Sequence, residues 1–93
     1  MMIQSTSLEA YNHATKSLGD RQRQVLEALI KAGPLTNREI SKLIDREINT
    51  VTPRVKELRM RGLVQNAGHK IDETGRRAIK WIAAYPQELF ANV

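Results

Sequence analysis

The sequence contains no cysteine, only four aromatic residues and no long apolar run. The lack of cysteine excludes a disulfide framework and thiolate metal sites. No apolar stretch approaches the roughly 18 residues that a membrane-spanning helix needs, and the first residues lack the charged start and apolar middle of a signal peptide. We therefore expect residues 1–93 to form one domain with a modest core, soluble, cytoplasmic and without a membrane partner.

Catalytic and metal-binding patterns are also missing. His13 and His69 lie in separate predicted elements, and no carboxylate accompanies either at a telling spacing. The sequence has no glycine-rich phosphate loop and no cluster of metal ligands. We therefore expect no enzymatic activity, no metal and no cofactor.

The positive charge is concentrated in one part of the chain. The formal net charge is +5, and residues 46–80 hold nine lysines and arginines against four acidic residues. Residues 1–45 hold six basic and five acidic residues, and residues 81–93 hold one acidic residue. A basic segment of this kind is typical of a phosphate-binding surface, although an ordinary solvated basic face would have the same composition.

Capping signals divide the first half of the chain into helices. An N-terminal extension helix is predicted within residues 1–19, and a second helix over residues 21–32 with Asp20 as its N-cap and Gly33-Pro34 as its end. Thr36 and Glu39 have the spacing of a capping box, so a third helix should begin there.

The stretch that follows predicts a helix with one apolar face. Val51, Val55 and Leu58 recur at i, i+4 and i+7, so they should face a core. Asn49 is the expected N-cap, with Glu47 as an alternative one turn earlier. With Asn49 as the cap, a proline at position 53 would be the fourth helical residue, where it removes a single backbone hydrogen bond.

The last third of the chain predicts a small hairpin and a final helix. Residues 63–65 and 70–71 are short strand candidates, and the turn formers at residues 66–69 lie between them. The wing of such a hairpin would be very short. Residues 72–93 are expected to form a C-terminal helix, with Asp72 as its cap and with its regular part reaching about residue 85. The predicted fold class is mainly α with a small β-hairpin.

This order of elements resembles a winged helix-turn-helix. Residues 20–82, and above all Asn49–Leu58 followed by Arg61-Gly62-Leu63-Val64, are similar to the MarR-like class of bacterial and phage regulators. Lys70–Gly75 resembles the segment that follows the wing in that class. The resemblance implies a helix-turn-helix with its wing over residues 20–71, sequence-specific binding of duplex DNA, and a role as a small transcriptional regulator.

In a helix-turn-helix, the first residues of the second helix reach base edges, and long basic residues around it contact phosphates. The candidates for base contact are Asn49, Thr50, Thr52 and Lys56, and Lys56 is long enough to contact a phosphate instead. Asn49 and Thr50 are also good helix-start residues, so capping is the alternative interpretation for them. The phosphate candidates are Arg46, Arg54, Arg38 and Asn37, and the wing candidates are His69 and Lys70. Arg76 and Arg77, at the start of the expected last helix, are interpreted as solvent-facing.

Three of the four aromatic residues, Trp81, Tyr85 and Phe90, lie near the C-terminus. They either complete the core against the N-terminal helix or form part of a two-fold dimer surface. A second hypothesis for function uses the same aromatic surface: a winged-helix protein–protein interaction module in a replication, recombination or other assembly. A small-molecule effector is not expected, because a short chain leaves little room for its pocket.

Overall fold

The computed structural model describes residues 15–84, which form three helices followed by an antiparallel two-stranded hairpin. The helices are α1 (Asp20–Ala32), α2 (Asn37–Ile44) and α3 (Ile48–Met60), and the strands are β1 (Val64–Ile71) and β2 (Arg77–Ala83). This is the winged helix-turn-helix arrangement, so the predicted fold class is confirmed. The N-terminal extension helix, predicted within residues 1–19, lies mostly outside the described residues.

One face of each helix is buried in a common core, as the apolar spacing predicts. The core consists of large apolar side chains that are each 8% exposed or less: Leu18, Val25, Leu26, Leu29, Ile40, Val51, Val55, Leu58, Leu63, Val64 and Trp81. Burying a side chain of this kind stabilises the fold by about 1.5–3 kcal/mol.

The connection between α1 and α2 follows the predicted signals. Gly33, with a φ of 80°, ends α1 in a conformation that favours glycine. The Thr36 hydroxyl accepts a hydrogen bond from the Glu39 amide at 3.2 Å, and the Glu39 carboxylate accepts one from the Thr36 amide at 2.9 Å. The predicted capping box is therefore confirmed.

The start of α3 agrees with the alternative prediction, Glu47, and not with the preferred one. Glu47, not Asn49, is the N-cap, and its carbonyl accepts from the amides of Thr50 at 2.9 Å and Val51 at 3.2 Å. Because α3 begins at Ile48, Pro53 lies inside the helix and not in its first turn. Proline in a helix interior costs about 3 kcal/mol relative to alanine, because it lacks an N–H and crowds the preceding turn.

The hairpin is longer than the sequence suggested. β1 continues through the segment predicted as a turn, residues 66–69, because that segment forms a β-bulge: Asn66 pairs with Trp81, whereas His69 pairs with Ile79. Gly68 has a φ of 110° and its amide donates to the Asn66 side chain at 2.7 Å. Asparagine and glycine suit a bulge as well as a turn, so the prediction of a very short wing was wrong.

The predicted C-terminal helix is wrong over the part that the structure describes, since Arg77–Ala83 is strand β2. Its core side is occupied by alternate residues, Ile79, Trp81 and Ala83, which have the period of a strand. Asp72 does not cap a helix. Its carboxylate accepts from the amides of Thr74 at 2.9 Å and Arg76 at 3.1 Å, and so stabilises the hairpin turn.

A third short segment attaches the hairpin to the helices. Leu35, between α1 and α2, forms an antiparallel bridge with Trp81. The Leu35 amide donates to the Trp81 carbonyl at 2.9 Å, and the Trp81 amide donates to the Leu35 carbonyl at 2.7 Å. This bridge positions β2 beside the helix-turn-helix.

Two of the apolar residues of α2, Ile40 and Leu43, provide a matched test of the core. Ile40 is fully buried and Leu43 is 57% exposed. We expect Ile40→Ala to lower the free energy of unfolding by about 2–5 kcal/mol, because it leaves a cavity. Leu43→Ala, the matched control, should change it by less than about 0.5 kcal/mol. Urea denaturation measures both, and equal losses in the two variants would contradict the described core.

Candidate nucleic-acid interface

The turn between α2 and α3 is held by hydrogen bonds between Ser41 and Arg46. Asp45 adopts a left-handed conformation with a φ of 57°, and the Arg46 amide donates to the Ser41 carbonyl at 3.0 Å. The Ser41 hydroxyl donates to the Arg46 carbonyl. These bonds fix the angle at which α3 leaves the turn and leave the Arg46 side chain exposed.

The outward face of α3 lies opposite its buried stripe. At about 100° per residue, Asn49 and Lys56 point away from the core, with Thr52 beside them. All three are exposed, and Thr50 is half-buried on one flank. The structure therefore brings three of the four predicted base-contacting residues onto one accessible face, and Thr50 lies outside it. We define this outward face by Asn49, Thr52, Pro53 and Lys56.

Asn37 belongs to the same region, although it lies on α2. Its Nδ2 donates to the Thr52 hydroxyl at 3.4 Å, while its Oδ1 is buried without a hydrogen-bond partner among the described residues. The first turn of α2 and the first half of α3 thus meet at this contact. Asn37 can orient the Thr52 hydroxyl, or its side-chain amide can itself form a hydrogen bond with a ligand at this surface.

Arg54 points to the other flank of α3, towards α1. Its Nη2 donates to Glu57 Oε2 at 2.8 Å, and Glu57 Oε1 accepts from Gln22 at 2.8 Å. The hydrogen bond from Arg54, followed by that from Gln22, lowers the pKa of Glu57. A phosphate at Arg54 would therefore compete with a carboxylate that already holds its guanidinium.

The hairpin is joined to α2 by three ion pairs that the sequence did not indicate. Lys70 Nζ lies 2.6 Å from Glu39 Oε2, and Arg38 Nε lies 4.0 Å from Asp72 Oδ2. The third pair is Lys42 with Glu73. The predicted phosphate ligands Arg38 and Lys70 therefore have acidic partners, whereas Arg46 and Lys56 form no ion pair within residues 15–84.

The hairpin tip carries residues that the sequence prediction placed elsewhere. Residues 72–76 form the turn, with Gly75 at a φ of 83°, so Arg76 is exposed at the tip and Arg77 begins β2. His69 and Lys70, predicted at the tip, are exposed residues of β1. The glycine and threonine that follow Asp72 were the available turn signal, since such residues commonly form turns.

The structure describes one of the three aromatic residues of the predicted dimer surface, Trp81. Trp81 is 8% exposed and packs in the core, and the guanidinium of Arg59 lies over its ring at 5.8 Å from the centroid. Trp81 is therefore a core residue, whereas the expected contact of the aromatic residues with the N-terminal helix lies outside the described residues. Tyr85 and Phe90 lie outside the described residues.

Metal-ligand clusters and membrane-spanning helices are both absent from the described residues. Residues 15–84 contain no group of three or more histidine and acidic side chains that could hold a metal ion. No helix in the same range has the length and apolar content required to cross a membrane.

An exposed polar helix face above a helix-turn-helix core, flanked by a hairpin, defines the class of winged helix-turn-helix proteins. The family model described as winged helix-turn-helix DNA-binding matches residues 18–65, just over half of the chain. The chain belongs to this DNA-binding family. A search of curated proteins found no significant match.

Solved structures show the same fold. A possible transcriptional regulator from Methanosarcina mazei Go1 superposes with a TM-score of 0.62 at 17% identity, over 90% of this chain and 69% of that one. The multiple antibiotic resistance repressor MarR gives 0.61 at 17% identity, over 98% and 64%. Reduced AbfR bound to DNA gives 0.59 at 25% identity, over 88% and 57%. The chain thus spans between 57% and 69% of the length of these three structures.

The ion pair between Glu39 and Lys70 predicts a pH dependence of stability. The hydrogen bond from Lys70, and then that from the Thr36 amide, lowers the pKa of Glu39 below 4.5. A carboxylate with a lowered folded-state pKa stabilises the fold above its unfolded-state pKa, and this stabilisation is lost as the pH falls through the folded-state value. Stability should therefore decline as the pH falls below about 4.5.

Glu39→Gln tests this assignment, because glutamine keeps the capping hydrogen bonds and removes the charge. At neutral pH we expect a loss of less than about 1 kcal/mol, since the pair is partly exposed. Below pH 4.5 the difference between the variant and the original chain should shrink. Thermal unfolding at several pH values measures this, and a difference that grows towards acid pH would contradict the assignment.

Proposed function

We propose that this chain binds duplex DNA sequence-specifically, as part of a transcriptional regulator, by placing the outward face of α3 in the major groove. The observation that carries the proposal is the outward face itself. It contains exposed polar side chains of base-contacting types at the start of a helix whose opposite side is buried. Asn49 can pair with adenine, and Thr52 can offer its hydroxyl or its methyl group.

The basic residues have separate parts in this proposal. Arg46 and Lys56 carry charges that are not neutralised by ion pairs within the described chain, so they are the principal contacts to phosphate or to guanine. Arg38, Arg54 and Lys70 would contact phosphates only by exchanging their carboxylate partners for the DNA. Mutation of these three should therefore have smaller effects.

The hairpin adds a second contact region. Arg76 lies at the hairpin tip and Arg77 beside it. The ion pairs between the hairpin and α2 hold the hairpin in place relative to the helices. We propose that Arg76 and Arg77 contact the phosphates or the minor groove next to the α3 site. His69 and Lys70 would lie further from the DNA than a short wing implied, although Lys70 still orients the hairpin through Glu39. Nothing in this proposal requires a catalytic step.

A mobility-shift titration at several salt concentrations tests the proposal. Lys56→Ala should weaken binding to a selected duplex about tenfold and, if Lys56 contacts a phosphate, reduce the slope of log K against log salt by about one. Lys31→Ala is the matched control. Lys31 is exposed near the end of α1, and its substitution removes the same charge as Lys56→Ala. The proposal fails if binding does not weaken with added salt, or if Lys56→Ala and Arg46→Ala both bind as tightly as the control.

We also propose that the DNA-bound form is a two-fold dimer. Two copies would present their α3 helices to half-sites about one DNA turn apart, and Tyr85 and Phe90 are the remaining aromatic candidates for the contact. Light scattering of the complex with DNA measures the state, with two chains per duplex expected. A single chain bound at saturation would contradict a dimer.

A further inference from the structure

The unexplained residue of α3 is Pro53. It lies five residues after Ile48, within the regular helix, and its side chain is exposed. Because proline has no amide hydrogen, the hydrogen bond that the Asn49 carbonyl would accept from position 53 cannot form, and the ring crowds that carbonyl. An exposed position inside a helix is therefore among the least favourable sites for this residue.

Packing does not offset this penalty. The core contacts of α3 are made by Val51, Val55 and Leu58, on the opposite side of the helix. Pro53 is exposed and belongs neither to the core cluster nor to the partly buried residues packed against it. Alanine at this position would favour the same helix more strongly, so the stability of the fold does not explain the proline.

The position of Pro53 on the outward face indicates a role in DNA binding. Pro53 lies between Asn49 and Lys56 along the helix axis, and at about 100° per residue its side chain is within about 60° of each of them and nearly opposite the buried stripe. The pyrrolidine ring has no hydrogen-bond donor or acceptor, so it can contribute only apolar contact there. In the major groove of DNA, the apolar group on a base edge is the C5-methyl group of thymine.

We propose that Pro53 is a specificity-determining residue that contacts the C5-methyl group of thymine in the bound DNA. This inference rests on the proposed function and deepens it. Asn49, one helical turn earlier, has the chemistry to recognise adenine, so the two residues together favour A·T pairs within the bound sequence. The helix keeps an unfavourable residue because its ring supplies an apolar contact between two polar ones.

The test begins with the full 93-residue chain and duplexes enriched from a random pool by binding to it. Each thymine of the selected duplex is then replaced by deoxyuridine, which removes the methyl group and leaves the hydrogen-bonding groups unchanged. Loss of one buried methyl contact should weaken binding about three- to tenfold at one or two positions. Binding that is unchanged at every position would overturn the inference.

Pro53→Ala links the effect to this residue. The variant should unfold at a temperature higher by at least about 4 °C, since the helix regains its hydrogen bond. Its preference for thymine over deoxyuridine at the sensitive positions should fall below about twofold. Pro34→Ala, which alters another exposed proline between α1 and α2, should keep the full preference.

The outcomes separate the inference from the proposed function. If no duplex is enriched, the proposed function fails. If a duplex is enriched but Pro53→Ala keeps the full thymine preference, the inference about Pro53 is overturned and DNA binding stands. A lower unfolding temperature in Pro53→Ala would also overturn it, because the proline would then have a structural purpose.

Discussion

The burial of one stripe of α3 is the constraint on which the rest of the structure depends. Val51, Val55 and Leu58 are each at most 2% exposed, and they pack with residues of α1 and α2. Turning the helix by one residue, about 100°, would expose apolar side chains that each stabilise the fold by about 1.5–3 kcal/mol when buried. The orientation of the outward face therefore follows from the core, and not from any contact that the face itself makes.

Ion pairs determine how the basic charge can be used. The acidic residues of α2 and of the hairpin tip neutralise cations that the linear sequence would assign to phosphate binding, Arg38 and Lys70 among them. These pairs are partly exposed, so each contributes little to stability, but together they hold the hairpin against α2. Arg46, in the turn before α3, and Lys56, on the outward face, are left without such partners in the described chain. The number of charges that meet DNA should thus be smaller than the composition implies.

The helices could be predicted from the sequence because their signals are local. The capping box of Thr36, the glycine at position 33 and the apolar stripe of α3 each involve residues within a few positions of one another. The outward face followed from that stripe. The start of α3 was placed wrongly because Asn49 is a better side-chain cap than Glu47, whereas the backbone closes the first turn on Glu47 without a side-chain cap.

The length of the hairpin and the position of its second strand could not be predicted, because their determinants are distant in sequence. The apolar residues between Ala78 and Ile82 fit a helical period and a strand period equally well over so short a run. The bridge between Trp81 and Leu35, which are more than forty positions apart, decides in favour of a strand. The ion-pair partners of Lys42 and Lys70 are 31 positions away. Such pairings depend on the tertiary fold, so the sequence could not show which basic residues near the hairpin already have acidic partners.

The central claim is that the outward face of α3 enters the major groove. Dimethyl sulfate probing of a selected duplex tests it most directly, because the reagent methylates guanine N7 in the major groove and adenine N3 in the minor groove. The structure predicts that the bound chain protects guanine N7 where α3 lies, and that Lys56→Ala reduces this protection. Protection confined to adenine N3, with every guanine N7 as reactive as in free DNA, would contradict the account.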